Sequence, residues 1–295
     1  MNRLIIGCGF LGWPLALNWE KQCQRSNDLP SGSTNQVFAM TRSATRADQF
    51  AAAGLLPIIA DITKAEGMGR ALADLPTIDT IVFAVGMDRS RYSDIFDVYV
   101  EGLRRFIESF PHPIKHLIYV SSTGVYGDFD GNWVDEDSPT LPAREGGKAC
   151  LAAEALLAEA TENWTVLRMA GLYGGTRVPT KTLIENRNWE KLSPHGFLNL
   201  IHQTDAVAAI AKAAHVKPMQ EIILCSDGRP PVRKDYYQYI ANQFGIGDIP
   251  WPAQTNVDPQ SRSAKSKRIS NDKMLKLLDL KLQYSDYKSG LAELF

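Results

Sequence analysis

An apolar run that meets Gly7-Cys8-Gly9-Phe10-Leu11-Gly12 and then a helical pattern leaves this chain few folds to choose from. Arg3-Leu4-Ile5-Ile6 suits a central parallel strand buried on both faces. Residues 13–19 have helical spacing, and Pro14 falls in the first turn, where a missing N–H is harmless. In a strand–loop–helix unit that cradles a pyrophosphate, Gly7 permits the tight turn and Gly9 lets the backbone approach the phosphates. Gly12 lets helix and strand pack closely, and Phe10 and Leu11 complete the loop. The helix start then offers N–H groups to the anion. The pattern is weak alone; its place between strand and helix gives it force. Residues 4–17 after Met1-Asn2-Arg3 also have the look of a short secretion signal. The run is too short to span a bilayer, and the loop explains its glycines better.

The next strand is Gln36-Val37-Phe38-Ala39-Met40, ending at Thr41-Arg42. The interval from Gly12 to Thr41 exceeds the about 20 residues usual before a ribose-binding residue. A polar, turn-rich insertion at 26–35 accounts for the surplus. No acidic side chain stands at the strand end to accept from a ribose 2′-hydroxyl. Arg42 is there instead, with Arg46 one turn on, and a guanidinium suits a 2′-phosphate through paired charge-assisted hydrogen bonds. The cofactor expected is NADP, with NAD as the alternative. Residues 56–60 run into Asp61-Ile62, and residues 80–85 into Gly86. Asp61 and Ile62 are placed to flank adenine, and Gly86 to let backbone near the ribose, because ligands of such sheets bind at the carboxyl ends of the strands.

Strands alternating with helical stretches give an α/β class with a doubly wound parallel sheet. At 295 residues the chain is long enough for one large domain or two smaller ones. Lys+Arg 32 against Asp+Glu 33 leaves a net charge of −1, which argues against a chain-wide nucleic-acid binder. No segment is long enough for a membrane span. Cys8, Cys23, Cys150 and Cys225 are scattered, without a paired motif, which fits a reducing, cytoplasmic setting. The even charge balance hides two opposed clusters. Asp128, Asp130, Asp135, Glu136 and Asp137 lie close together, and Arg262, Lys265, Lys267, Arg268, Lys273 and Lys276 form a basic counterpart broken by Asp272. The basic cluster reads either as a solvated loop or as a contact for substrate phosphate.

Residues 116–127, His-Leu-Ile-Tyr-Val-Ser-Ser-Thr-Gly-Val-Tyr-Gly, place consecutive hydroxyls at a strand end. With residues 166–174, 199–207, 267–271 and 287–291, they make the chain resemble the extended short-chain dehydrogenase/reductases over nearly its whole length. More narrowly, it looks like the NAD(P)-dependent epimerase/dehydratase group, which acts largely on nucleotide sugars. That resemblance implies a Rossmann-type sheet over residues 1–172, completed by 199–225, with a smaller substrate-binding region from 173–198 and 226–295. It implies a catalytic hydroxyl at Ser122 and a Tyr-x-x-x-Lys helix whose lysine is Lys148, a ligand for the nicotinamide ribose. Arg144 stands where the tyrosine belongs. A tyrosine of pKa about 10 becomes a usable acid/base beside a lysine and a cationic ring, whereas arginine stays protonated and can only bind an anion or polarise a carbonyl. Tyr126 and Glu145 are the conceivable replacements. The Gly146-Gly147 pair makes the helix start flexible, so the spacing carried over from the family has room to slip.

Elsewhere, Lys181, Arg187 and Lys191 read as anion contacts or as a solvated face. His202 reads as structural, with no metal cluster in view, and Asp205 as the N-cap of a helix. Tyr236, Tyr237, Tyr239 and Phe244 read as a core stripe, followed by a Pro/Gln/Ser-rich connector at 250–263. Two functions follow: an NADP-linked oxidoreductase, epimerase or dehydratase on a small sugar-like substrate, phosphorylated or nucleotide-linked; or an NAD(P)-binding sensor or scaffold without hydride transfer. Oligomeric state is not legible.

Overall fold

The apolar run at the start of the chain divides at its glycines into strand β1 (Asn2–Ile6), a loop, and helix α1 (Gly12–Arg25). The alternation continues through β2 (Gln36–Thr41), α2 (Ala44–Ala52), β3 (Leu56–Ile59), α3 (Met68–Leu72), β4 (Thr80–Phe83), α4 (Gly102–Ser109) and β5 (Leu117–Ser122). A short β6 (Trp133–Val134) precedes α5 (Glu145–Ala160), β7 (Trp164–Met169) and β8 (Gly171–Tyr173). Next come α6 (Lys181–Glu185), β9 (Leu200–His202), α7 (Gln203–Ala213), β10 (Glu221–Cys225) and α8 (Arg233–Gln243). The chain closes with β11 (Arg268–Ile269), α9 (Asp272–Leu277) and α10 (Tyr287–Leu291). This computed structural model describes residues 1–25, 35–92, 94–216, 220–251 and 265–295. Most of the polar insertion at 26–35, most of the connector at 250–263, and Arg262 lie outside the described residues.

Seven strands form one parallel sheet in the order β10-β7-β5-β4-β1-β2-β3. Leu4, Ile5 and Ile6 are fully buried because β1 has β2 on one side and β4 on the other, with helices over both faces. After β3 the chain returns to β4 on the opposite side of β1, and such a reversal of strand order opens a crevice at the carboxyl ends of the two central strands. This is the Rossmann arrangement expected from the glycine loop.

By compactness the chain divides into two units. The first comprises Met1–Ser121, Lys148–Leu167 and Ile210–Ile222; the second comprises Ser122–Gly147, Arg168–Ala209 and Ile223–Phe295. Residues 122–147, which the sequence groups with the dinucleotide-binding half, thus cluster with the C-terminal residues. The first unit is built on Leu4, Ile6, Phe38, Phe83, Phe106 and Tyr119. In the second, Tyr173, Tyr236, Tyr237 and Ile240 form the core, so the tyrosine stripe of α8 packs inward.

The two opposed charge clusters meet within the second unit. β6 pairs in parallel with β11, and Ser266 donates its N–H to the Asp128 carboxylate at 2.9 Å. Lys267 Nζ donates to the carbonyls of Tyr126 and Gly127 at 3.0 and 3.2 Å. Arg268 donates to the Gly131 carbonyl and lies between the rings of Trp133 and Phe197. These two cations therefore tie the acidic segment to β11.

Asp205 is not an N-cap. It is the third residue of α7, and its carboxylate accepts the N–H groups of Gln283 and Tyr284 at 2.7 and 3.0 Å. Local spacing suggested a cap, but distant backbone donors in the C-terminal segment claimed the side chain. Among the described residues no helix is long and apolar enough to cross a membrane, and no group of His, Cys, Asp or Glu is arranged to hold a metal. None of Cys8, Cys23, Cys150 and Cys225 is in a disulfide.

Candidate functional site

The glycine loop sits at the carboxyl end of β1, and each of its glycines answers a different steric demand. Gly7 has φ +93°, and a Cβ there would lie 2.6 Å from the Ala84 carbonyl oxygen beside β4. Only glycine combines that conformation with that approach. At Gly12 a Cβ would stand 2.4 Å from the Gly7 carbonyl oxygen, so the start of α1 is pressed against the loop that precedes it. At Gly9 a Cβ would meet nothing within 4 Å. No internal packing demands a glycine there, which leaves the open space on that side available to a ligand. Leu11 anchors the loop in the core, while Phe10 is partly exposed. Cys8 is buried, which pushes its thiol up to about 12 despite the nearby Arg46 guanidinium, so it is no nucleophile near neutrality.

Arg46, on α2, donates to the Cys8 carbonyl at 3.2 Å and lies over the rings of Trp13 and Phe50, themselves stacked at 5.4 Å. A cation is thus fixed beside the loop. Arg42, just beyond Thr41, is tied to a neighbouring segment: Nη2 donates to Asp88 Oδ2 at 2.9 Å, and Nη1 donates to the Tyr92 hydroxyl. The Tyr92 ring lies 5.1 Å from the guanidinium, and its hydroxyl donates to Asp61 at 3.2 Å. Thr41 contributes its hydroxyl as acceptor for the Ser43 N–H.

Asp61 follows β3. Burial opposes its ionisation, but donors from the Thr63 N–H and hydroxyl and from Tyr92 outweigh it and hold the carboxyl below its usual range. Asp88 is also held low, by the Ser90 hydroxyl first and Arg42 second. Ile62 turns its side chain inward against Gly102 of α4, which leaves its backbone as the part available to a ligand. Gly86, after β4, is exposed, and a Cβ there would meet nothing within 4 Å. The first unit therefore gathers the glycine loop, Thr41, Arg42, Asp61 and Gly86 at the ends of adjacent parallel strands β1 to β4.

Ser122 is the last residue of β5, and its Oγ accepts the Gly124 N–H at 3.1 Å, capping a short 3₁₀ turn over Thr123–Val125. The hydroxyl keeps its proton to donate. Gly147, in the first turn of α5, is seated on this turn: a Cβ on Gly147 would lie 2.2 Å from the Gly124 carbonyl oxygen. Gly147 thus brings about a close backbone approach, where the sequence suggested slack. Arg144 is exposed immediately before α5, and its carbonyl accepts the Gly147 N–H at 2.9 Å. Glu145 and Lys148 are exposed in the first turn. Tyr126 is only 2% exposed; its hydroxyl accepts from Arg168 at 2.6 Å and its ring lies 5.0 Å from that guanidinium. It is a buried partner of Arg168, not an accessible proton donor.

His202 is buried, which lowers its pKa; Nδ1 accepts the Thr204 N–H, and the ring packs between Tyr173 and Tyr284. It is structural, as expected. The residues that sequence reasoning missed are Asp88 and Tyr92. Their partner Arg42 is far away in sequence, and no local pattern marks such a pairing.

Comparison with known proteins agrees with this geometry. The chain is 26% identical over 294 residues to Protein YeeZ of Escherichia coli (strain K12), with 96% of each covered. A solved structure from Methylobacillus flagellatus, described as an NAD-dependent epimerase/dehydratase, is 29% identical with a TM-score of 0.74, covering 99% of this chain and 97% of that one. UDP-glucuronic acid 4-epimerase from Bacillus cereus, solved in complex with NAD, shares the fold with a TM-score of 0.72 at 18% identity, covering 99% and 96%. The sequence model of the NAD(P)H-binding family matches residues 28–194, more than half of the chain. With most of the Rossmann sheet inside the matched segment and the glycine loop just before it, this chain belongs to the NAD(P)H-binding family.

Proposed function

We propose that this protein binds NADP in preference to NAD and uses it in an oxidoreductase, epimerase or dehydratase reaction on a sugar-like or nucleotide-linked substrate. The observation that carries the reading is the glycine cradle: two glycines fixed by backbone contacts and a third, Gly9, with open space where a pyrophosphate would run. The neighbours named as an epimerase and as an epimerase/dehydratase support the substrate class, and Arg42 just beyond β2 with Arg46 on α2 supports NADP. Four cysteines without a disulfide among them are compatible with a reducing cytoplasm. When bound, the nicotinamide supplies a site that accepts or returns a hydride.

The chain's own residues bind and orient. Lys148, exposed at the start of α5, would hold the nicotinamide ribose, and Ser122 would donate its remaining proton to a substrate oxygen. Arg144, permanently charged, would bind an anionic group or polarise a carbonyl in place of the tyrosine. Ser122→Ala is expected to lower turnover about 100-fold, by removing a donor to a developing oxyanion, with cofactor affinity unchanged. Lys148→Met is expected to weaken NADPH binding instead. Fluorescence titration with NADPH and NADH, followed by turnover across a panel of keto-sugars, separates the two effects.

A second reading, a cofactor-binding sensor or scaffold, is favoured by Arg144 at the tyrosine position together with the burial of Tyr126 beneath Arg168. It predicts dinucleotide binding with no turnover in the panel, and a gain of turnover on Arg144→Tyr. Binding of NADH at micromolar concentration with no binding of NADPH would remove the basis for NADP.

A further inference from the structure

β2 ends without an acidic side chain, yet a carboxylate reaches that position from the loop after β4. Asp88, in the segment after β4, takes a hydrogen bond from Arg42 Nη2 at 2.9 Å through Oδ2. Its other oxygen, Oδ1, accepts from the Ser90 hydroxyl at 2.6 Å and the Ser90 N–H at 3.2 Å, so the carboxylate is aimed and not free to swing. Tyr92 closes the other side of the guanidinium and links it to Asp61. The Arg42 and Asp88 side chains are 34% and 36% exposed, so the pair stands where a ligand can reach it.

We propose that Asp88 sets the choice between 2′-phosphorylated and 2′-hydroxyl dinucleotides by competing with a 2′-phosphate for the Arg42 guanidinium. The inference rests on the dinucleotide-binding reading above. A dianionic phosphate entering beside Arg42 meets the Asp88 carboxylate at close range, and like charges oppose each other there. A 2′-hydroxyl meets no such conflict and finds in Asp88 an acceptor. The arginine that argues for NADP is thus held in check by an acid from the loop after β4, and the preference for NADP is smaller than Arg42 alone would give. Arg46, engaged with the Cys8 carbonyl, has no carboxylate partner among the described residues and leaves a cation for either form.

The test uses the whole protein and two fragments, 2′,5′-ADP and 5′-AMP, with calorimetry as the readout, alongside titration with NADPH and NADH. Asp88→Asn keeps an oxygen for Ser90 and removes the charge. It is expected to tighten 2′,5′-ADP and NADPH about tenfold, the size of one lost like-charge contact at a half-exposed site, and to change 5′-AMP and NADH by less than about threefold. Arg42→Ala is expected to abolish the preference for 2′,5′-ADP over 5′-AMP, and in the double variant the gain from Asp88→Asn should disappear. Unaltered melting temperatures show that the variants are folded. An unchanged 2′,5′-ADP affinity in Asp88→Asn overturns the proposal, as does a gain that survives in the Arg42→Ala background. If dinucleotides bind but their ratio does not move, only the role of Asp88 fails. If the wild-type protein binds neither dinucleotide, the proposed function fails and this inference with it.

Discussion

Gly9→Ala is expected to leave thermal stability unchanged while lowering NAD(P)H affinity at least about tenfold, which corresponds to about 1.4 kcal/mol. The reason lies in what surrounds each glycine of the loop. A Cβ at Gly9 touches nothing in the protein, so alanine there meets no internal opposition. The same methyl would project into the space that the proposed pyrophosphate site needs for close backbone approach. Gly7→Ala should behave in the opposite sense. Its Cβ would be forced to 2.6 Å from the Ala84 carbonyl oxygen in a left-handed conformation, φ +93°. Overpacking costs about 1–3 kcal/mol and the left-handed backbone about 1–2 kcal/mol, so a loss of about 2–5 kcal/mol is expected. Chemical denaturation of both variants, beside cofactor titration of Gly9→Ala, checks the pair. Wild-type affinity in a folded Gly9→Ala protein would show that no phosphate passes over this loop, and the proposed cofactor site would have to be abandoned.

The contrast among these three glycines was legible in the sequence because spacing within a single strand–loop–helix unit determines it. Three residues of pattern are enough to say which glycine turns the chain, which packs and which stays open. The strand ends at Thr41, Asp61 and Gly86 were legible for the same reason: each is a short apolar run followed by a break. What escaped was every feature whose partner lies far along the chain. Asp205 looked like a helix cap because capping is the commonest use of an aspartate just before an apolar helical run. Its carboxylate instead holds the backbone of Gln283 and Tyr284. Lys267 and Arg268 read as a solvated loop or as a contact for phosphate, whereas both donate to backbone carbonyls, of Tyr126 and Gly127 and of Gly131. Arg42 was read correctly as a cation at the end of β2, while its counter-ion Asp88 could not be read at all. The Gly146-Gly147 pair suggested slack; the structure uses Gly147 for a close approach to Gly124. That Arg144 stands where the family resemblance expects a tyrosine is a proposal that the Arg144→Tyr variant tests.

Asp227→Asn is expected to stabilise the protein above pH 7 and to leave it nearly unchanged near pH 4. Asp227 follows β10 in the second unit and is 5% exposed. One carboxylate oxygen accepts the Arg229 N–H at 3.0 Å; the other, Oδ2, has no hydrogen-bond partner among the described residues. Burial is the main reason its pKa is pushed up to about 7; the Arg229 N–H pulls the other way, and the charges of Asp286 and Asp205 add to the rise. In the unfolded chain the group titrates near its ordinary value of 3.8. Below about pH 4 both states hold the proton, and the group contributes no pH dependence. Between about pH 4 and pH 7 the folded state keeps a proton that the unfolded chain has lost, so folding takes up a proton and stability falls by at most about 1.4 kcal/mol per pH unit. Above about pH 7 both states are ionised and the loss levels off, at an upper bound of about 4 kcal/mol. Asparagine keeps an oxygen for the Arg229 N–H and has no proton to lose, so its curve lacks this slope. Urea denaturation of both proteins at several values from pH 4 to pH 8 isolates the effect, because groups remote from Asp227 titrate alike in the two. The difference should grow with pH through this window and then stay constant. A difference that is the same at pH 4 and pH 8 would mean that Asp227 is already ionised in the folded protein, with its charge met by donors that the buried site does not show.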